Sequence, residues 1–201
     1  GGVGYSTGDA LLIGADALIA RYNFDAAPVG KTILDSKPQG LSRPATNNNA
    51  VWLASAADGG TVSVTRSGVM QFTATNNTQI TVPTNSDLNI ARGSVAFWMR
   101  SSGTTGAGSV GAVLAERRTT AGGFALYQLD NGTLRFTANG AATKVQNLFT
   151  TPGAVGDNRW HHVALNFDQA SNAVVSIYID GLLAGSNRNT NSWGWPTSSV
   201  F

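Results

Sequence analysis

The sequence predicts an all-β protein built as a sandwich or barrel, and three observations carry that prediction. Short apolar segments bounded by Gly, Asn, Asp, Ser and Pro recur about every ten residues from Thr61 onward, the spacing of strands joined by turns. Several of these segments alternate in character with period two, which sends successive side chains to opposite faces of a strand. No stretch longer than one or two turns carries a helical period. A chain of 201 residues is long enough for one such domain around a single core.

The clearest alternation runs from Asn158 to Asp168 and from Val174 to Gly181. His161, Val163, Leu165 and Phe167 share one parity, and Trp160, His162, Ala164 and Asn166 the other. In the second segment Val175, Ile177 and Ile179 oppose Ser176, Tyr178 and Asp180. The short polar turn between them predicts an antiparallel pair. Asp180-Gly181 then supplies a two-residue hairpin turn, with Leu182 to Gly185 running back.

The remaining elements follow in chain order. Residues 1 to 9 are Gly-rich, and Ala10 to Gly14 is an apolar run too short to assign to helix or strand. Leu18 to Phe24 reads as the first strand. Residues 25 to 60 read mostly as loop, with Val51-Trp52-Leu53 as a short apolar insertion. Strands are expected at 61–65, 68–74, 79–82, 93–100, 111–117, 123–129, 133–138, 143–148, 159–167, 174–180 and 182–186. Asn131-Gly132 predicts a type I′ turn. Parity places Val95, Phe97, Leu126, Phe136, Val163, Leu165, Ile177 and Ile179 in the core. Trp98 and Trp160, inside strands, are expected there too.

Composition narrows the function. Only 12% of residues are charged and the formal net charge is +2, with the basic residues scattered singly. That balance argues against nucleic acid and anionic membrane as partners. There is no cysteine, hence no disulfide and no thiol chemistry. No run approaches the ~20 apolar residues that span a bilayer. The surface must be built from Asn, Thr, Ser, Gln and Gly, which suits an extracellular or cell-surface β protein.

Trp160-His161-His162-Val163-Ala164, the downstream Asp168, and Ile177-Tyr178-Ile179-Asp180-Gly181 together resemble the central signature of laminin G-like domains. Tyr22 to Asp25, Val69 to Phe72, Ile80 to Pro83, Gly93 to Met99, Phe124 to Tyr127 and Leu134 to Phe136 extend the match in order over roughly residues 18 to 190. The resemblance implies a concanavalin A-like jelly roll: two curved antiparallel sheets over residues 18–201, preceded by an N-terminal extension, 1–17. The family's closing strand, which pairs beside the first strand, has no counterpart in the sequence. Either the 201 residues are part of a longer chain that supplies this strand, or Leu18 to Phe24 is an edge expected to be covered by Ala10 to Gly14 or by the same segment of a neighbouring copy. A homo-oligomer or filament would follow from the last of these arrangements.

Jelly-roll glucanases of this superfamily carry a Glu-x-Asp-x-x-Glu strand, and glycoside hydrolysis needs two carboxyl groups flanking the bond. This chain has a single glutamate, Glu116, followed by Arg117 and Arg118. Asp130, Asp157, Asp168 and Asp180 are expected at turns. The protein is therefore read as non-catalytic. His161 and His162 point to opposite faces and do not chelate one ion together. The resemblance implies a calcium site at Asp25 and Asp35, set against a turn-capping role for both. Trp193 and Trp195, with Asn189 and Asn191 around them, are the expected ligand-binding residues, because aromatic rings stack on sugars and amides meet hydroxyls. The leading function is an extracellular binding module for a glycan or another surface ligand. The alternatives are a structural or adhesive subunit of a filament, and an accessory module of a larger carbohydrate-active enzyme.

Overall fold

The computed structural model of the chain describes residues 18–37, 40–73, 77–103, 111–140 and 144–196. Among them the strands are β1 (Thr32–Ile33), β2 (Ala45–Asn48), β3 (Val51–Ala57), β4 (Thr65–Gln71), β5 (Gln79–Thr81), β6 (Arg92–Arg100), β7 (Ala112–Thr119), β8 (Gly122–Gln128), β9 (Leu134–Asn139), β10 (Lys144–Phe149), β11 (Trp160–Asp168), β12 (Val174–Ile179) and β13 (Leu182–Arg188). A 3-10 turn, Ser86–Leu88, precedes β6.

Two four-stranded antiparallel sheets form a jelly-roll sandwich. One is ordered β10-β9-β8-β7, the other β13-β12-β11-β6. Their inner faces follow the parity of the sequence: Phe124, Leu126, Leu134, Phe136, Ala138 and Leu148 meet Val163, Leu165, Phe167, Val175, Ile177 and Ile179. Val95 and Phe97 pack against this layer from β6, partly buried. Fully burying an aliphatic or Phe side chain contributes about 1.5–3 kcal/mol, so this layer is the chief source of stability. β8 is buried along its whole length, on the inner face by the opposite sheet and at Tyr127 on the outer face by the side chains of Arg118 and Arg135.

A smaller sheet, β1-β2-β5, has its own apolar cluster of Ile33, Ala45 and Val82 with Tyr22, Phe24, Ile80 and Leu88. The Tyr22 hydroxyl donates to the Arg43 carbonyl at 2.6 Å. Burial, with Asp35 adding and Arg43 opposing, pushes that phenol up to about 12, so it stays a donor. The β3–β4 hairpin is fastened to the end of β11 and β6. Trp160 Nε1 donates to the Ala56 carbonyl at 3.2 Å, and an Arg100 guanidinium nitrogen donates to the Ala57 carbonyl. Within the loop joining the two strands, the Asp58 carboxylate accepts from the N–H groups of Val64 and Gly60 at 3.0 and 3.2 Å.

Several local expectations change. Leu18 to Phe24 makes no ladder; Asp35 and Ser36 tie it instead, accepting from Arg21 N at 2.9 Å and donating to the Arg21 carbonyl. Phe24 has a positive φ of 53°, which a continuing strand does not tolerate. The expected loop at 25–60 contains β1, β2 and β3, while the expected strand at 61–65 is mostly the hairpin turn. Asp180-Gly181 is the type I′ turn, with φ of 52° and 82°. Leu129 to Thr133 is a three-residue loop instead: Gly132 N donates to the Leu129 carbonyl at 3.0 Å, and Gly132 alone has positive φ. Phe97 faces the core, but Trp98 beside it and Trp160 on β11 lie on the outer face. The proposed cover strand, Ala10 to Gly14, lies outside the described residues.

Candidate functional site

The aromatic pair singled out in the sequence closes one end of the sandwich. Trp193 N donates to the Gln169 carbonyl at 3.0 Å, and Gly123 N to the Gly194 carbonyl at 2.7 Å. These bonds draw the segment between the sheets. Trp193 is only 5% exposed, with its ring 5.8 Å from Phe167, 6.1 Å from Phe124 and 5.5 Å from Trp195. Trp195 donates from its indole to the Ile90 carbonyl at 2.8 Å, and the buried Arg117 guanidinium stacks 4.9 Å from its ring centroid. Trp193 is packed as core, whereas Trp195 is half-buried. Asn189 is buried too, its amide donating to the carbonyls of Asp168 and Ala170 at 2.6 and 2.9 Å. Asn191 is exposed.

Asp35 has a structural task. Its Oδ1 accepts from Arg21 N at 2.9 Å and Lys37 N at 3.0 Å, and its Oδ2 from Arg43 N at 2.9 Å. Asp25 accepts from the Asn23 amide at 2.5 Å. Among the described residues no group of three or more His, Asp or Glu side chains is placed to hold a metal ion.

The two histidines separate as parity requires. His161 is held between two carboxylates, Nδ1 at 2.8 Å from Asp180 and Nε2 at 2.9 Å from Asp157. Burial pulls its pKa down, but hydrogen bonds and charge from Asp180 and Asp157 outweigh burial and raise it above the ordinary value. Burial conversely raises the Asp157 carboxyl, and the bond to His161 with that to Arg159 N carries it below its ordinary value. The trio ties the β12–β13 turn to the loop before β11. His162 lies on the other face, against Trp98.

What stands out on the surface is the outer face of β7–β10. Register aligns Val113, Tyr127, Arg135 and Phe149 in one row across the four strands. The next row holds Glu116, Ala125, Thr137 and Asn147, and the third begins with Arg118 opposite Gly123. Arg118 reaches back over the small Ala125, donates to the Tyr127 hydroxyl, and pairs with Glu116 at 3.3 Å. Its guanidinium carbon lies 5.5 Å from the Tyr127 ring centroid, and that of Arg135 lies 5.7 Å from the same ring. Arg135 is also 5.8 Å from the Phe149 ring and donates to Asn147 Oδ1 at 3.2 Å. Tyr127 is buried beneath the two cations, whereas Phe149 is 47% exposed. Burial, helped by Glu116 and opposed by the two arginines, raises the Tyr127 phenol, so it remains neutral at neutral pH. The face therefore combines an open aromatic ring, two guanidinium forks, one carboxylate and an amide.

The sequence pattern marks Glu116 and Arg118 as charges and places Tyr127 and Arg135 within strands, but assigns none of this set to a binding site. The signal was present as parity: Tyr127, Arg135 and Phe149 each adjoin a core residue, Leu126, Phe136 and Leu148, and so point outward. Their meeting in one row depends on register across three strand pairs, which no local pattern carries.

Comparison with known proteins agrees with this architecture. The chain belongs to the concanavalin A-like lectin/glucanases superfamily, whose laminin G-type family model matches residues 74–201. Among solved structures it is similar to the binding domain of Paraclostridial Mosquitocidal Protein 1, at 15% identity and a TM-score of 0.67, covering 92% of this chain and 44% of that one. It is also similar to botulinum neurotoxin type C, which depends on interaction with two ganglioside molecules to get into cells (15% identity, TM-score 0.62, 93% and 43% covered). A third is the binding domain of botulinum neurotoxin DC in complex with SialylT (16%, 0.59, 93% and 43%). This chain thus spans under half the length of each. None of the curated proteins matches it significantly.

Proposed function

We propose that this domain is a non-catalytic glycan-binding module of a secreted or cell-surface protein, and that it takes its ligand on the outer face of β7–β10. The observation that carries the reading is the row Tyr127–Arg135–Phe149 with Arg118 laid over it. An exposed ring next to oriented guanidinium and amide donors is what a pyranose needs: apolar C–H groups on one face, hydroxyls around the rim. Arg118 and Arg135 stack on Tyr127, which holds their forks in place before a ligand arrives and lowers the entropy lost on binding. The type C toxin's dependence on gangliosides and the DC toxin's complex with SialylT support glycan as the ligand class, since both share the fold over almost all of this chain.

A binding role also follows from the chemistry of the face. Hydrolysis needs a protonated and an ionised carboxyl on either side of the bond. Glu116 is the only carboxylate of this patch among the described residues, and Arg118 pairs with it. A panel of soluble oligosaccharides, screened on an array and then by calorimetry, tests the proposal. Phe149→Ala and Arg135→Gln each weaken the captured glycan about tenfold, the scale of one stacking or charge-assisted contact. Undiminished affinity in both variants would remove the site from this face.

A further inference from the structure

The outer face of the other sheet holds a second cluster that the glycan reading above does not use. Trp98 and His162 are cross-strand partners, with ring centroids 5.2 Å apart, and Trp98 is 48% exposed. β4 lays Arg66 against them: its guanidinium carbon is 3.3 Å from the Trp98 ring centroid and 5.9 Å from that of Trp160. The Arg100 guanidinium carbon stands 5.7 Å from the Trp160 ring centroid. With one face of Trp98 under Arg66 and His162 against the ring, its exposure falls on the edge.

Beyond Trp98 the floor is flat and uncharged. Ala96 sits opposite Ala164, which sits opposite Tyr178. Then come Ser94, whose hydroxyl donates to Asn166 Oδ1 at 2.6 Å, and Ser176. From Trp98 to Ser94 the strand covers about 13 Å, room for a short oligosaccharide. The next charges are Arg92 and Asp168, which neutralise each other at 2.7 Å.

Neither Arg66 nor Arg100 forms an ion pair with a carboxylate among the described residues. The acid at this corner, Asp58, has its oxygens engaged by the N–H groups of Gly60, Val64 and Trp160. Arg66 Nε is enclosed and has no hydrogen-bond partner. A guanidinium drawn partly out of water with no counter-charge is poised for an anion, and its planar fork suits a carboxylate.

We propose that this corner is a second ligand site, and that it takes a carboxylated sugar. The sugar ring lies along the exposed edge of Trp98, where its carboxylate meets the terminal nitrogens of Arg66, and further rings run along Ser94, Asn166 and Tyr178. The chain is then bivalent, with one site on each outer face of the sandwich. This assignment does not depend on the Tyr127 face.

Titration calorimetry of the full chain with a uronic-acid oligosaccharide and with its carboxyl-reduced form tests it, carried out in an Arg135→Gln/Phe149→Ala background so that only this corner is read. The background protein binds the uronate form and binds the reduced form at least about tenfold more weakly. Trp98→Ala abolishes both, while Arg66→Gln removes the preference for the carboxylate. Arg66 also helps hold the β3–β4 hairpin, so Arg66→Lys, which keeps the charge and loses the planar fork, is a second variant, with its fold checked by thermal unfolding. It weakens the uronate form several-fold and leaves the reduced form unchanged. Equal affinity for the two forms, binding indifferent to Trp98→Ala, or equal capture of an acidic peptide of matched charge would overturn the proposal. None of these results bears on Phe149.

Discussion

Replacing Trp193 by Ala separates a core role from a ligand role at the end of the sandwich. The indole is 5% exposed and packs on Phe124, Phe167 and Trp195 at 6.1, 5.8 and 5.5 Å. Truncating a buried Phe or Trp to Ala costs about 3–5 kcal/mol, from lost transfer energy and the cavity left behind. One contribution works the other way. Trp193 Nε1 is buried with no hydrogen-bond partner, and removing an unsatisfied donor relieves about 1–3 kcal/mol. The net expectation is a loss of about 2 kcal/mol, or about 4–8 °C in Tm for a domain of this size. Trp193→Phe keeps most of the ring contact and removes the orphan donor, so its stability stays within about 1 kcal/mol of the parent. Urea unfolding followed by intrinsic fluorescence, with unchanged slope, gives both values. A Trp193→Ala protein that keeps its midpoint but loses glycan binding would refute the reasoning and restore the ring to the surface.

Further outcomes follow from single contacts. Gly123 has φ of +88°, and an added Cβ would sit 1.9 Å from the Arg117 carbonyl oxygen, so Gly123→Ala destabilises by about 2 kcal/mol or more in thermal unfolding. Asp35→Asn lowers Tm whether or not calcium is present, because three backbone N–H groups lose a charged acceptor; a parent Tm that rises with millimolar calcium only while Asp35 is intact would return it to a ligand role. The raised His161 pKa stabilises the fold fully below about pH 6.5 and less as pH rises through the folded value. The lowered Asp157 pKa acts in the opposite sense, its contribution being lost as acid protonates it. His161→Gln therefore flattens the fall in Tm on the neutral-to-alkaline side, and an unchanged pH profile would contradict the trio's role.

The core was legible because it is local. Period two in Val163-x-Leu165-x-Phe167 and Val175-x-Ile177-x-Ile179 sets each inward face without knowledge of partners, and all six side chains are buried. The same rule, applied strictly, points Trp98 away from Phe97; its bulk and apolar character argued for burial and misled. The early strands were illegible for a different reason. Ala-Ser-Ala-Ala after Leu53 has little intrinsic strand preference, and β3 forms because β4 and the ends of β6 and β11 are there to pair and fasten it. Asn131-Gly132 carries a hairpin signal, but Asp130 joins the loop and shifts the positive φ to Gly132 alone. The candidate site was hidden most deeply, because Arg118, Tyr127, Arg135 and Phe149 are distant in the chain and only sheet register unites them.

The claim that glycan binds the outer face of β7–β10 is tested most directly by the footprint of the bound ligand. Backbone and aromatic NMR signals of the labelled protein are followed during titration with the tightest oligosaccharide from the array. The account predicts shifts centred on Arg118, Tyr127, Arg135, Asn147 and Phe149, with Trp193 and Asn189 unmoved. Shifts concentrated on residues 189–195, with Tyr127 and Phe149 silent, would contradict it.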